Sequence, residues 1–215
     1  MSLTLGIIGT AGRGDDAAKL DAAHWRMMVC ISQTVATVTG ATRLVSGGAA
    51  FGDHCAVELF NRGFVPELTL HLPAPFLRTP ERYAYKDTDA GRVSNRYHVA
   101  FTEARKAGGV SGISLVEIAR ALENPRCTVT EENGPGFAPF FVRNAKVAND
   151  ADVLLAFTFG VVGKPDLKDG GSADTMRAFL KRFPARGYIH ANGFPSMPPL
   201  RAYHFNLTDR VLYRL

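Results

Sequence analysis

The sequence predicts an α/β domain: a parallel sheet with helices on both faces, an insertion in the middle and a hairpin at the C-terminus. Three observations predict it. Short apolar runs alternate with stretches of helical periodicity, the apolar runs end in glycine-rich turns, and 215 residues is a length that one α/β core can fill. Hydrophobic residues at 46% and charged residues at 21% match ordinary globular usage, so the 21 glycines point to tight turns rather than disorder. One domain over 1–215 is expected, with the insertion at about 73–139.

The run Leu3 to Ile8 reads as a buried strand. It ends in Gly9-Thr10-Ala11-Gly12-Arg13-Gly14, and Ala17 to Thr37 follows with apolar residues at helical spacing and no proline. Trp25, Met27 and Met28 on that helix read as core. Thr42 to Ser46 is a second short strand, residues 47–52 a turn, and Asp53 to Phe60 a helix opened by an acidic cap. The unit of strand, glycine turn and helix thus occurs twice. Leu68 to Leu72 adds a third strand, giving the alternation of a parallel sheet with right-handed crossovers.

From Pro73 to Pro139 six prolines punctuate a polar stretch, with helices expected over Tyr97 to Lys106 and Leu115 to Leu122. This is the insertion, and two readings stay open for it: a lid or oligomer contact, or plain elaboration. Alternation resumes with a helix from Phe140 to Asn149, a strand from Asp152 to Phe157, a loop from Gly160 to Gly171 and a helix from Ala173 to Arg182. Tyr188 to Ala191 is a candidate for the next strand. After the proline-rich Phe194 to Leu200, Ala202 to Asn206 and Val211 to Leu215 flank a short turn as a terminal hairpin.

Composition narrows the function. No apolar run approaches the roughly 20 residues that span a bilayer, and the N-terminus lacks a signal-peptide pattern, so the expected compartment is the cytoplasm, with no membrane partner. Cys30, Cys55 and Cys127 lie far apart, and an odd number suits a reducing compartment. The six histidines form no metal spacing and there is no G-x-S-x-G elbow, so neither a metal nor another cofactor is expected. The net charge of +5 suits nucleic acid, but the arginines are scattered and a basic balance equally suits a site for an anionic ligand, so charge alone leaves both open.

In open α/β sheets ligands sit beyond the carboxyl ends of the strands, where backbone N–H groups and helix N-termini favour an anion. Three strand ends here are rich in glycine. Gly9 to Gly14 is spaced G-x-x-G-x-G, and Asp15-Asp16 stands where a P-loop has lysine and a hydroxyl residue. Ser46-Gly47-Gly48-Ala49-Ala50-Phe51-Gly52-Asp53, followed by Ala56, is more specific, because paired glycines after a buried strand allow close backbone approach.

This motif, S-G-G-A-x-x-G-x-D-x-x-A, resembles the signature of the SLOG superfamily, which includes the Rossmann domain of DNA-processing protein A and the Lonely Guy phosphoribohydrolases. Arg143-Asn144-Ala145-Lys146, followed by Ala151-Asp152 and an apolar strand, is similar to the arginine-bearing helix of the Lonely Guy enzymes. Gly170-Gly171-Ser172-Ala173-Asp174-Thr175 lies where those enzymes have P-G-G-x-G-T. The resemblance covers most of the chain outside the insertion. It implies a Rossmann-like parallel sheet with helices on both faces and a nucleotide or phosphate site built from three loops. Its ligand-binding residues would be Gly9, Thr10, Ala11, Arg13, Ser46, Gly47, Gly48, Arg143, Asn144, Gly170, Gly171, Ser172 and Thr175. Arg143 would pair with the phosphate, as a guanidinium matches phosphate oxygens in bidentate geometry.

One departure bears on activity. The glutamate that ends P-G-G-x-G-T-x-x-E is replaced by Arg177, which favours a nucleotide-binding protein over a nucleoside-phosphate N-glycosidase or glycosyl-transferring enzyme. An enzyme would need a relocated carboxylate, for which Asp53, Glu58 and Asp174 are the candidates. Asp53 also reads as a helix cap, Glu58 as a salt-bridge member, and Asp174 as either a ribose ligand or a cap. Phe137, Phe140 and Phe141 would cover a base or pack in the core. A single-stranded DNA binder is the third reading, and a homo-oligomer is compatible with all three.

Overall fold

Strand β1 (Thr4–Gly9) is apolar on both sides because both of its faces are covered. From it the chain runs through α1 (Ala22–Thr39), β2 (Arg43–Ser46), α2 (His54–Asn61), β3 (Glu67–Leu72), β4 (Phe76–Thr79), β5 (Arg82–Tyr85), α3 (Asp89–Ala107), α4 (Ser114–Glu123) and β6 (Cys127–Glu131). It continues through α5 (Ala138–Asp150), β7 (Val153–Thr158), α6 (Gly171–Arg182), β8 (Tyr188–Ile189), β9 (Pro195–Ser196), β10 (Ala202–Asn206) and β11 (Val211–Arg214). The structure, a computed structural model, describes residues 2–79, 82–182, 188–189, 195–196 and 201–215.

Seven strands form one sheet in the order β11-β10-β7-β1-β2-β3-β6, parallel throughout except for the antiparallel terminal hairpin of β10 and β11. The side-chain alternation of each strand assigns the two cores. Leu5 and Ile7 of β1, with Val153, Leu155 and Phe157 of β7, pack against Trp25, Met28, Leu59 and Ile118 of α1, α2 and α4. Ile8, Leu154 and Ala156 face the other way, against Val147, Ala148, Met176 and Phe179 of α5 and α6. Each large side chain buried this way stabilises the fold by roughly 1.5–3 kcal/mol. The expected Rossmann-like α/β architecture is what forms.

The chain steps outward from β1 through β2 and β3 to β6, then returns to the opposite side of β1 for β7 and β10. The strand order therefore reverses between β1 and β7, and the register Gly9↔Phe157 brings their carboxyl ends level. Such a reversal leaves a crevice above the sheet.

Boundaries differ from the sequence expectation where local hydrogen bonds intervene. Helix α1 begins at Ala22 rather than Ala17, because Gly14–Asp16 forms a single 3₁₀ turn and the Asp21 carboxylate accepts from the amide of His24 at 2.8 Å, capping the helix there. Tyr188–Ile189 pairs antiparallel with Pro195–Ser196 as a separate ribbon instead of extending the sheet, and His190 and Ala191 lie outside the described residues, as does most of the proline-rich segment. No helix among the described residues is long and apolar enough to cross a membrane.

Residues 73–139 are more ordered than their prolines suggest. They hold the β4–β5 hairpin, the helices α3 and α4, and β6, which pairs with β3 as the parallel edge of the main sheet. Helix α3 starts eight residues before the expected Tyr97, with the Thr88 hydroxyl capping the Gly91 amide at 3.0 Å. It docks through Phe101, fully buried against Trp25 and Phe51 with ring centroids 4.9 and 4.4 Å away. Beside it the buried Arg105 guanidinium lies 3.0 Å from the Glu117 carboxylate, which also accepts from His54 at 2.7 Å. Burial pushes Glu117 up, but His54 and Arg105 outweigh it and hold this carboxyl at about 2.

Candidate functional site

A cleft of about 700 Å³ opens where the strand order reverses. Its floor is the loop after β1, from Gly9 to Arg13, and the N-terminal turn of α6, from Gly170 to Thr175. One wall is the start of α5, with Phe137, Phe140, Phe141, Arg143 and Asn144, and the other is the start of α3, with Val93, Ser94, Arg96 and Tyr97. This size and mixture of apolar wall with few polar groups is what small-molecule sites have.

The floor depends on one very close backbone approach. A Cβ on Gly52 would sit 2.5 Å from the Cα of Gly9, and one on Gly9 would sit 2.8 Å from the Cα of Gly52. Only glycine at both positions lets α2 begin directly against the end of β1, and the Gly52 amide then donates to the Thr10 carbonyl at 3.3 Å. Asp53 comes next. Its backbone is already helical and its side chain makes no capping bond, so the expected cap does not form. The carboxylate instead turns into the protein and accepts from the amides of Gly9 at 2.9 Å and Ala49 at 3.4 Å, tying the loops after β1 and β2 together. Burial raises its pKa, and the nearby Arg143 charge and these amides oppose the rise.

Arg143 projects from α5, where its NH1 donates to the Gly47 carbonyl at 3.0 Å, its Nε to Asn144 Oδ1 at 3.2 Å, and its guanidinium lies over the Phe140 ring at 5.2 Å. These contacts hold it in place, and its charge acts on the buried Asp53 without an ion pair forming between them. Among the described residues no carboxylate lies in ion-pair range of Arg13, Arg96 or Arg143, all of which line the cleft. The amides of Gly171, Ser172 and Ala173 open α6 and have no acceptor among the described residues, as expected of a first helical turn. Opposite them, Lys168 bonds to the buried Asp16 carboxylate at 2.7 Å, and Asp16 accepts from the Thr10 hydroxyl at 2.9 Å, linking the loops after β1 and β7.

Of the sequence candidates, Gly9, Thr10, Ala11, Arg13, Arg143, Asn144, Gly170, Gly171, Ser172 and Thr175 line this one cleft, together with Asp53. Ser46, Gly47 and Gly48 do not. The Ser46 hydroxyl is buried between the carbonyls of Ile7 at 2.8 Å and Asp53 at 3.0 Å. The Gly48 carbonyl accepts from Tyr85 at 2.9 Å and His98 at 3.0 Å, so the insertion covers this turn. Glu58 pairs with Arg62 one turn along α2 and Asp174 with Arg177, both away from the cleft lining. The sequence reading missed Lys168 and the α3 wall. Thr88 followed by Asp89 was the available signal that α3 begins early enough to bring Arg96 and Tyr97 to the cleft.

Among the described residues no group of three or more His, Cys, Asp or Glu side chains could hold a metal ion. Fold and cleft together define a Rossmann-like α/β protein with a small-molecule-sized crevice at its topological switch point. No protein-family model matches the chain. It is similar to the Uncharacterized protein R261 of Acanthamoeba polyphaga mimivirus, with 35% identity over 132 residues. The match takes in 61% of this chain and 62% of that relative's length.

Proposed function

We propose that the protein binds a nucleotide or another phosphorylated small molecule, in the manner of a SLOG-type nucleotide-binding domain, with the phosphate at the loop after β1 and the N-terminus of α6. The observation that carries this is the convergence, in one cleft, of Arg13 and Arg143, neither in an ion pair among the described residues, with the free opening amides of α6. The phenyl rings of Phe137 and Phe141, about 60% exposed at 59% and 62%, offer a surface for a base to stack on.

Binding is favoured over N-glycoside cleavage because Glu58 and Asp174 are engaged elsewhere, and Asp53 is committed to two backbone amides. The test is thermal stability against nucleotides, nucleotide sugars and short single-stranded DNA, with each hit followed for release of free base. A ligand at 100 times its Kd stabilises by roughly 2.7 kcal/mol. Arg143→Ala is expected to weaken a nucleotide at least about tenfold, the scale of one lost charge-assisted contact. Stabilisation by DNA alone, falling steeply with salt, would replace this reading with the nucleic-acid one.

A further inference from the structure

Helix α3 belongs to no part of the site that the glycine-rich loops foretold, yet it supplies one whole wall of the cleft. On that wall Arg96 is exposed, lies over the Tyr97 ring at 5.3 Å, and has no carboxylate in ion-pair range among the described residues. Its α3 neighbour Arg92, by contrast, is neutralised by Asp87 and Asp89. Across the cleft stand Phe137, just before α5, and Phe141 on it, large apolar rings left open to solvent. A flat group between the two walls would have aromatic surface on both sides. Arg96 would then stand over it as a cation separate from the Arg143 and α6 end.

We infer that the cleft takes a ligand with two anionic groups held apart on either side of a flat ring, of the nucleoside bisphosphate or dinucleotide kind, the second anion being bound by Arg96. This rests on the nucleotide reading above and adds the second anion site. The charges agree with it. Lys168 is paired with the buried Asp16, and the remaining cations of the lining, Arg13, Arg96 and Arg143, outnumber its remaining carboxylates, the buried Asp53 and the exposed Asp169. Arg96 stands on the wall opposite Arg143 with no carboxylate in ion-pair range among the described residues, so a phosphate held at the Arg143 end leaves it open to a second anion. A guanidinium already seated on an aromatic ring also loses little conformational freedom on binding.

The test is calorimetric titration of the full chain with adenosine 5′-monophosphate, adenosine 5′-diphosphate and adenosine 3′,5′-bisphosphate, repeated on Arg96→Ala and Arg143→Ala. The bisphosphate is expected to bind about tenfold or more tightly than the monophosphate, a preference the diphosphate does not match because its added charge sits at the same end. In Arg96→Ala that preference falls to about onefold. In Arg143→Ala all three ligands weaken and the preference survives. Equal affinities for monophosphate and bisphosphate, or a preference that persists in Arg96→Ala, would overturn the second anion site while leaving nucleotide binding intact. Binding of none of the three would overturn the nucleotide reading and this inference with it.

Discussion

The strand ends after β1 and β2 look alike in the sequence: each is an apolar strand running into a turn with three glycines in six residues. The fold uses them in opposite ways. After β1, Gly9 packs against Gly52 but the turn beyond it stays open, with Thr10, Ala11 and Arg13 lining the cleft and Arg13 reaching into it without a counter-ion among the described residues. After β2 the turn is filled. A Cβ on Gly47 would meet Arg143 Nε and Asp53 Oδ2 at 2.8 Å, one on Gly48 would meet Leu72 at 2.5 Å, and the Gly48 carbonyl is held by Tyr85 and His98 from the insertion. Glycine after a strand permits close approach. What approaches, a ligand or another part of the chain, is decided by segments tens of residues away.

The largest expected effect tests the point where the two ends touch. Gly52→Ala puts a methyl group against the backbone of Gly9, which no side-chain rotation relieves, and should cost about 3 kcal/mol or more in urea unfolding. Gly14→Ala, in the open turn with nothing within 4 Å, carries only the left-handed backbone penalty of roughly 1–2 kcal/mol at φ 55°. Equal losses in the two variants would mean that the contact between β1 and α2 gives way easily, and the contrast between a packed and an open turn would fail.

A smaller effect concerns the seal over β2. His98 is fully buried, with Nε2 donating to Gly48 and Nδ1 facing the Ser114 hydroxyl at 3.1 Å. Burial, reinforced by the positive environment of His54 and Arg105, pushes its pKa from 6.5 down to about 3. The unfolded chain therefore takes up a proton near pH 6.5 that the folded chain refuses until about pH 3. The stability His98 contributes is complete above pH 6.5 and is lost as pH falls through that window, at up to about 1.36 kcal/mol per pH unit. Burial lowers His71 and His204 in the same direction. His98→Gln, whose amide can still donate to Gly48, should reduce the acid slope of unfolding free energy by about one proton. An unchanged slope would remove His98 from the seal.

Much of this fold is legible because the strands are buried on both faces and their apolar runs are short and bounded by glycine or by polar turns. β1, β7 and the helices packed on them were expected within a few residues. The lining of the candidate cleft was legible in the loops after β1 and β7 and in Arg143, where residue types suited to anions stand at strand and helix ends. Two things were not. The polar run from Lys86 to Arg96 gives little apolar periodicity, so the first two turns of α3 and its side of the cleft were hidden. Asp53 stands at a helix start where an acid ordinarily caps, and only the contact between Gly9 and Gly52 brings unpaired amides close enough to turn its side chain inward. The start of α3 had only the local Thr88 cap to mark it, whereas the turn of Asp53 depends on a tertiary contact between residues more than forty positions apart, which local patterns do not encode.

The smallest effect separates the two strand ends most cleanly. Tyr85 donates its hydroxyl to Gly48, and burial pushes its pKa up, so it remains a donor across the working pH range. Its ring packs edge-on against Phe76 at 5.1 Å and stacks on His98 at 5.8 Å, contacts that phenylalanine retains. Tyr85→Phe thus removes one buried hydrogen bond and leaves the Gly48 carbonyl with its second donor, His98. The expected cost is about 1 kcal/mol, or roughly 3 °C in Tm, with the affinity for the proposed nucleotide ligand unchanged because Tyr85 does not line the cleft. A tenfold loss of affinity at unchanged Tm would reverse the comparison, since it would place the covered turn after β2, rather than the open one after β1, in the path of the ligand.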